Sequence, residues 1–366
     1  MPWPASLSGV ERGGPVHGTP GPRRILKANS VADVIIIGGG PAGSCAAIRC
    51  ARWGLHAILL ERELFPRDRP GESLHPGFET LLEQLGVLDA VLAADFLRFD
   101  GNWVECKGTT SFEAFKPTST GATRGLQAWR PEFDAILLGR AKQLGVEIVQ
   151  PCRALRPIVT GSRVAGVETK GRKFESAFVI DAAGRGNWLA RHLNLEIQTR
   201  SPRLIAHFAY MEGQCPARND NPGFFVDETG WTWTARVRPG LYNWTRLNVG
   251  DNSIDRNFTP VEFASLRPVG RVQTADVTWR LVPQCAGDGY FMCGDAAAVI
   301  DPTSSHGVVK AIMSGTHAAD VIARIIRRGE DAWEAASAFR QLFSTWFEHD
   351  VARLTEQHAR WYGAPR

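Results

Sequence analysis

An apolar, mostly β-branched run, Val31–Ala–Asp–Val–Ile–Ile–Ile37, ends abruptly on Gly38–Gly–Gly40–Pro41–Ala42–Gly43. A continuous apolar run of this length suits a strand buried on both faces of a parallel sheet. Ala42 to Trp53 then reads as a helix stopped by Gly54, and His56 to Leu60 as a second buried strand. The result is a β-α-β unit with glycines spaced GxGxxG at its strand-to-helix turn. Gly38 permits the tight turn, Gly40 lets a pyrophosphate approach the backbone, and Gly43 lets helix and strand pack closely. With Pro41 and Ala42 in the first turn, the anion sits on N–H groups at the positive end of a helix. Glu61 stands eighteen residues past Gly43 at the end of the second strand, followed by Arg62. A carboxylate there accepts both ribose hydroxyls and disfavours a 2′-phosphate, which leaves FAD or NAD rather than NADP.

The rest of the composition narrows the class. The 366 residues carry 42 Lys or Arg against 38 Asp or Glu, a net charge of +4 that is too mild to indicate a nucleic-acid partner. No stretch of eighteen apolar residues occurs, so neither a transmembrane helix nor a membrane partner is expected. Seven cysteines are scattered without a CxxC pair, giving no zinc framework, no metal site and no disulfide scaffold. A reducing, cytoplasmic compartment is the expectation. Residues 1–29 alternate Pro and Gly without an apolar core and read as a disordered tail rather than a signal peptide.

Farther along, Arg130 to Leu144 is an amphipathic helix closed by Gly145, and strands are expected at 146–149, 164–167 and 178–180. From Arg203 to Trp279 the pattern becomes antiparallel β, with Asp–Glu–Thr–Gly and Arg–Pro–Gly turns. Tyr290–Cys293 returns to a buried strand, a long helix starts near Gly307, and 331–361 is helical with Trp333, Leu342, Phe343, Trp346, Phe347 and Leu354 on one stripe. The expected architecture is α/β: a discontinuous dinucleotide domain (30–100, 125–200 and 285–330), an inserted antiparallel β-rich substrate domain (101–124 and 201–284), and a C-terminal helix (331–366).

Four segments together carry a family resemblance. The first is the glycine turn. The second, Tyr290–Phe–Met–Cys–Gly294–Asp295, with Asp301–Pro302 and Ser304–Ser–His306–Gly307–Val308, resembles the second FAD fingerprint of glutathione-reductase-type flavoproteins. There the Asp binds the ribityl chain and the following helix points its N-terminus at the flavin pyrimidine edge. An ordinary helix capped by Ser304 or Ser305 reads equally from this segment alone; beside the first turn, it makes FAD the expected cofactor. Trp129–Arg130–Pro–Glu–Phe133–Asp134 resembles the Arg-x-x-Phe-Asp helix of aromatic hydroxylases and halogenases, whose Arg reaches the cofactor. Asp181–Ala–Ala–Gly184 resembles the family's Asp-Gly segment. The resemblance spans residues 33–310 and implies an FAD-dependent monooxygenase-type enzyme with a glutathione-reductase-type Rossmann domain.

Pro66–Arg–Asp–Arg–Pro70–Gly71–Glu72–Ser73–Leu–His75–Pro76 looks most like the small flavoprotein maturases of tryptophylquinone amine and amino-acid oxidases, relatives of tryptophan halogenases. That implies hydroxylation of an indole or phenol ring through a flavin C4a-hydroperoxide, including a Trp side chain of a partner protein or peptide. Halogenation of an aromatic substrate is the second reading, and a non-catalytic flavin-binding assembly factor the third. Halogenases hold hypohalous acid with a Lys after the Gly-Glu segment, yet residues 79–106 contain none. Arg98 lies near the place, an always-protonated substitute, and Lys107 and Lys116 are imperfect candidates. Trp231 and Trp233 share a strand face, and Trp244 is expected to join them as a pocket wall, although an aromatic core reads as readily. His306 is an acid–base candidate, with a structural loop histidine the commoner case. Glu72 and Trp233 complete the catalytic candidates, and Ser73 joins the cofactor set. No second nucleotide turn is visible, so the external reductant is unknown.

Overall fold

The computed structural model describes residues 31–71, 73–117, 121, 123–250, 253–255, 257–304 and 306–363. The tail and Glu72 therefore lie outside the described residues. Four strands, Ala32–Ile37, Ala57–Leu60, Glu147–Val149 and Arg172–Asp181, pair in parallel, and Tyr290–Met292 joins the far side of Arg172–Asp181 the same way. Val34, Ile35 and Ile36 are fully buried, as a strand covered on both faces requires. Register aligns Ile37 with Leu60 and with Asp181, and Asp181 with Met292. The next residues of each strand, Gly38, Glu61, Ala182 and Cys293, thus leave the sheet along one carboxyl edge, where ligands bind in open α/β sheets.

The second sheet has seven strands in the order Arg267–Asp276, Ile205–Glu212, Leu241–Asn248, Gly230–Arg238, Gly223–Val226, Gly101–Cys106 and Thr109–Ala114. It is antiparallel, as expected, except where Gly223–Val226 meets Gly101–Cys106 in parallel. That pair joins two segments far apart in sequence, so no hairpin constrains its direction.

The terminal helix, Ala332–Tyr362, bridges the two sheets. Asp331 caps it, its carboxylate accepting the Trp333 and Glu334 N–H groups at 2.9 and 2.8 Å. Its first half sets Phe339 against Phe291, with ring centroids 5.1 Å apart. Its second half lays Phe347 and Leu354 into the cluster around Trp231. Trp333 falls off the expected stripe and is 72% exposed.

Candidate functional site

The glycine turn separates what the fold needs from what a ligand needs. Gly38 has φ +98°, and a Cβ there would sit 2.5 Å from the Ala182 carbonyl oxygen. A Cβ on Gly43 would sit 1.9 Å from the Gly38 carbonyl oxygen. Both glycines are demanded by close packing of the protein on itself. Gly40 is different: its φ of −71° and ψ of −175° suit any residue, and the nearest atom to its would-be Cβ is Arg67 Nη2 at 3.4 Å. Pro41 and Ala42 open a helix that no side chain caps. A cradle approached only by the end of an arginine, before an uncapped helix start, fits a diphosphate.

Glu61 is buried at the expected strand end. One carboxylate oxygen accepts the Gly39 N–H at 2.6 Å and the other the Glu63 N–H at 2.9 Å, which fixes the acid beside the turn. Arg62 points outward to Glu63 at 3.2 Å. Sequence reasoning missed the neighbouring cation. Arg67 lies over the Phe65 ring at 4.5 Å, reaches Glu61 at 3.9 Å and Asp134 at 3.7 Å, and so stands across the glycine turn. Burial lowers its proton affinity, and the charge of Asp134 offsets part of that lowering. Asp134, itself fully buried, grips Arg130 through two bonds of 2.8 and 3.0 Å. Arg130 also donates to the Pro70 carbonyl at 2.7 Å, tying its helix to the 66–71 loop. The signal for Asp134 was present in the Arg-x-x-Phe-Asp spacing, since i and i+4 share a helix face.

The second fingerprint arrives at the same edge. Gly294 donates its N–H to Ser314 Oγ at 2.9 Å, pinning the turn to the Gly307–Arg328 helix. The Asp295 side chain is 46% accessible and stands among protein groups that partly desolvate it. That desolvation raises its pKa, against the pull of Arg185, Arg130 and Arg280. The long helix begins at Gly307 and Val308 with no side-chain cap, and the space around Gly307 is open. Two of the expected cofactor residues also hold the protein to itself. Asp181 accepts the Ala183 and Leu189 N–H groups, at 2.9 and 2.8 Å, one on each carboxylate oxygen, which shapes the 182–188 turn. Burial pushes its pKa up to about 6. Ser73 likewise gives its hydroxyl to Gln127 Oε1 at 2.8 Å, because its two-residue strand pairs there.

The loops expected beside the flavin ring do meet. His75 and His306 stack at 5.4 Å with planes 15° apart, and Phe115 meets the His75 ring edge-on at 5.2 Å. Burial, aided by the Arg353 charge, lowers the His75 pKa from its ordinary 6.5 to about 4. The native state therefore resists a proton that the unfolded chain accepts. Stability contributed by neutral His75 is complete above pH 6.5 and is lost as pH falls towards 4. His75→Gln should flatten that part of the stability profile in urea unfolding at pH 7 and 4.5. An unchanged slope would show that other groups govern it.

The tryptophan face is corrected most. Trp231 and Trp233 do share one face, but Trp244 pairs with Thr234 and lies on the other, against Phe258 at 5.2 Å. The register slips by one residue between Arg236 and Arg238, and a one-residue slip exchanges faces. Trp231 is 1% exposed and belongs to the core beneath the terminal helix. Phe224 touches Trp231, Trp233 and Trp361 at 5.8, 6.4 and 5.3 Å, so the last helical turn covers this face. Trp233 alone of the three is half-buried. Arg98 is paired with Glu79 at 2.6 Å, and Lys107, exposed, reaches the Arg360 carbonyl at 3.2 Å. Exposed Lys116 follows Phe115 directly.

The chain is 30% identical over 351 residues to flavin-dependent halogenase armH1 of Armillaria mellea, covering 81% of this chain and 66% of the relative. It is 29% identical over 346 residues to tryptophan 2-halogenase of Chondromyces crocatus, covering 86% and 65%. A third relative, the 1H-pyrrole-2-carbonyl-[peptidyl-carrier protein] brominase of Pseudoalteromonas luteoviolacea, is 29% identical over 323 residues, covering 80% and 78%. The match thus spans just under two thirds of the first and second of these proteins. In fold, the chain resembles the myxobacterial chondrochloren halogenase CndH, with TM-score 0.79, 23% identity, and coverage of 92% and 84%. The flavin-dependent brominase Bmp2 gives TM-score 0.75 at 24% identity, covering 91% and 94%. The model of the FAD binding domain family matches residues 31–222, more than half the chain, and on that match the chain belongs to the family, with FAD as its cofactor.

Proposed function

We propose that this protein is a flavin-dependent halogenase of an electron-rich aromatic ring: an indole, phenol or pyrrole, free or borne by a protein or peptide. The observation that carries this is the likeness to proteins named as halogenases over 80–86% of the chain. When bound and reduced, FAD supplies the two electrons that activate oxygen. Overall, reduced FAD, oxygen, a halide, a proton and the arene give FAD, the aryl halide and two waters. The chain's own residues would hold the diphosphate at the Gly38–Gly43 turn, the ribose at Glu61 and the ribityl chain at Asp295. The uncapped Gly307 helix start would offer its N–H groups to the cofactor, where they would favour negative charge. His75, neutral above pH 4, and Phe115 form a dry shoulder beside His306.

Hydroxylation is the second reading, favoured by the absence of lysine from residues 79–106 and by the engagement of Arg98 with Glu79. In that reaction reduced FAD, oxygen and the arene give FAD, the phenol and one water. The test supplies reduced FAD, oxygen and excess bromide to tryptophan, a pyrrole amide and a tryptophan-containing peptide, with products read by mass spectrometry. A bromine isotope doublet is the expected result, and its loss in Lys116→Ala would identify the amine involved. A gain of one oxygen without bromine would overturn halogenation in favour of hydroxylation. FAD binding without either product overturns both.

A further inference from the structure

Beside Asp295, a cleft of about 670 Å³ opens between the turn at residues 185–187, the paired strands Gln198–Thr199 and Arg280–Leu281, and the end of the Arg267–Asp276 edge strand. Four guanidinium side chains line it, Arg185, Arg191, Arg203 and Arg280, against one lining carboxylate, Asp276. Arg280 is the inner post. It reaches Asp276 at 3.2 Å, the Arg185 carbonyl at 2.8 Å and Asn187 Oδ1 at 3.1 Å. Asn187, in the left-handed region at φ 46°, donates in turn to the Ala296 carbonyl at 2.9 Å. Arg185 stands 3.8 Å from Asp295. The rear wall is therefore a fixed network anchored on the second fingerprint, while Arg191 and Arg203 stand at the exposed rim.

This arrangement crowds like charges. Burial lowers the proton affinity of Arg280; Asp276 and Asp295 act against that lowering, and the charge of Arg185 adds to it. An anion entering the cleft would relieve the repulsion. Planar guanidinium forks match paired oxygens, and a phosphoryl group offers enough oxygens to meet several arginines at once, which a halide or a single carboxylate does not. The volume also exceeds what one inorganic ion needs and falls in the range of small-molecule sites. We propose that this cleft binds a phosphoryl group, as a phosphate ester or diphosphate of an organic molecule, in addition to FAD and separately from it. A dinucleotide and the phosphate-linked arm of a carrier share this chemistry.

The experiment is calorimetric titration of FAD-saturated protein with inorganic pyrophosphate, NADPH and coenzyme A. Saturable binding with Kd below ~1 mM is expected for pyrophosphate, weakening with added salt. The Arg191→Ala/Arg203→Ala variant, altered only at exposed positions, should bind it at least ~10-fold more weakly, about 1.4 kcal/mol. A tighter NADPH than coenzyme A identifies a dinucleotide as the source, and the reverse identifies a carrier arm. Absence of binding by all three overturns the proposal, as does equal affinity in the variant. Pyrophosphate binding that disappears once FAD is saturating would also overturn it, because the anion would then have been occupying the flavin's own turn. Since no turnover is read, failure here is separate from failure of the halogenase reading.

Discussion

Gly40→Val should abolish FAD binding while leaving the protein folded, whereas Gly43→Ala should damage the fold itself. The contrast follows from what each hydrogen faces. Gly40 has backbone angles open to any residue, and only the flexible end of Arg67 comes within 3.4 Å of a Cβ placed there. Valine is thus accommodated by the protein but fills the space in which a diphosphate meets the helix start. Loss of that approach should raise the Kd for FAD at least ~100-fold, about 2.7 kcal/mol. At Gly43 the obstacle is backbone: a methyl group would lie 1.9 Å from the Gly38 carbonyl oxygen, and neither partner has a rotamer to yield. Helix and strand must separate, at a cost of about 3 kcal/mol. Fluorescence titration with FAD and urea unfolding read the two effects independently. Wild-type FAD affinity in Gly40→Val would mean that the diphosphate binds elsewhere.

The same distinction explains what was legible in the sequence. The strand, turn, helix and acid lie within thirty residues of one another, and local chemistry dictates each of them. Their convergence on one edge follows from parallel pairing, so the Gly294–Asp295 segment could be placed there from its own strand signal. The tryptophan face could not. In an unbroken Arg238–Leu241 hairpin register, Trp244 would lie opposite Ala235 and share the face of Trp233. The one-residue irregularity after Arg236 moves it opposite Thr234 and turns it away. Nothing in an alternating pattern announces such a slip, because either face of this sheet is aromatic. The terminal helix was readable as apolar, but not which surface it covers. That is settled by Phe347, Leu354 and Trp361 meeting residues more than a hundred positions away. Arg67 was hidden for a related reason: in a loop rich in arginine, only tertiary contacts single out the one that crosses the phosphate turn.

Asp134→Asn should be the most destabilising single substitution of a polar residue near the cofactor site, costing ~3–5 kcal/mol. Its carboxylate is fully buried and faces two cations, Arg130 at 2.8 Å and Arg67 at 3.7 Å. Asparagine offers one acceptor where Arg130 uses two, and it removes the charge that makes burying both guanidiniums tolerable. Coulombic loss is compounded by geometry. Without Asp134, Arg67 keeps only its long contact to Glu61 and its place over Phe65, so the side chain beside Gly40 loses its fixed position. FAD affinity should fall by about 10-fold in whatever fraction remains folded. The paired change Arg130→Leu/Asp134→Leu separates the two consequences. Replacing a buried ion pair by packed apolar groups is often close to neutral, so stability should largely return. FAD affinity should not, because Arg67 still lacks its anchor. A single variant within ~1 kcal/mol of wild type would show that water or backbone already shares the charge of Arg130. Recovery of FAD affinity in the double variant would show that Arg67 acts on the turn without Asp134.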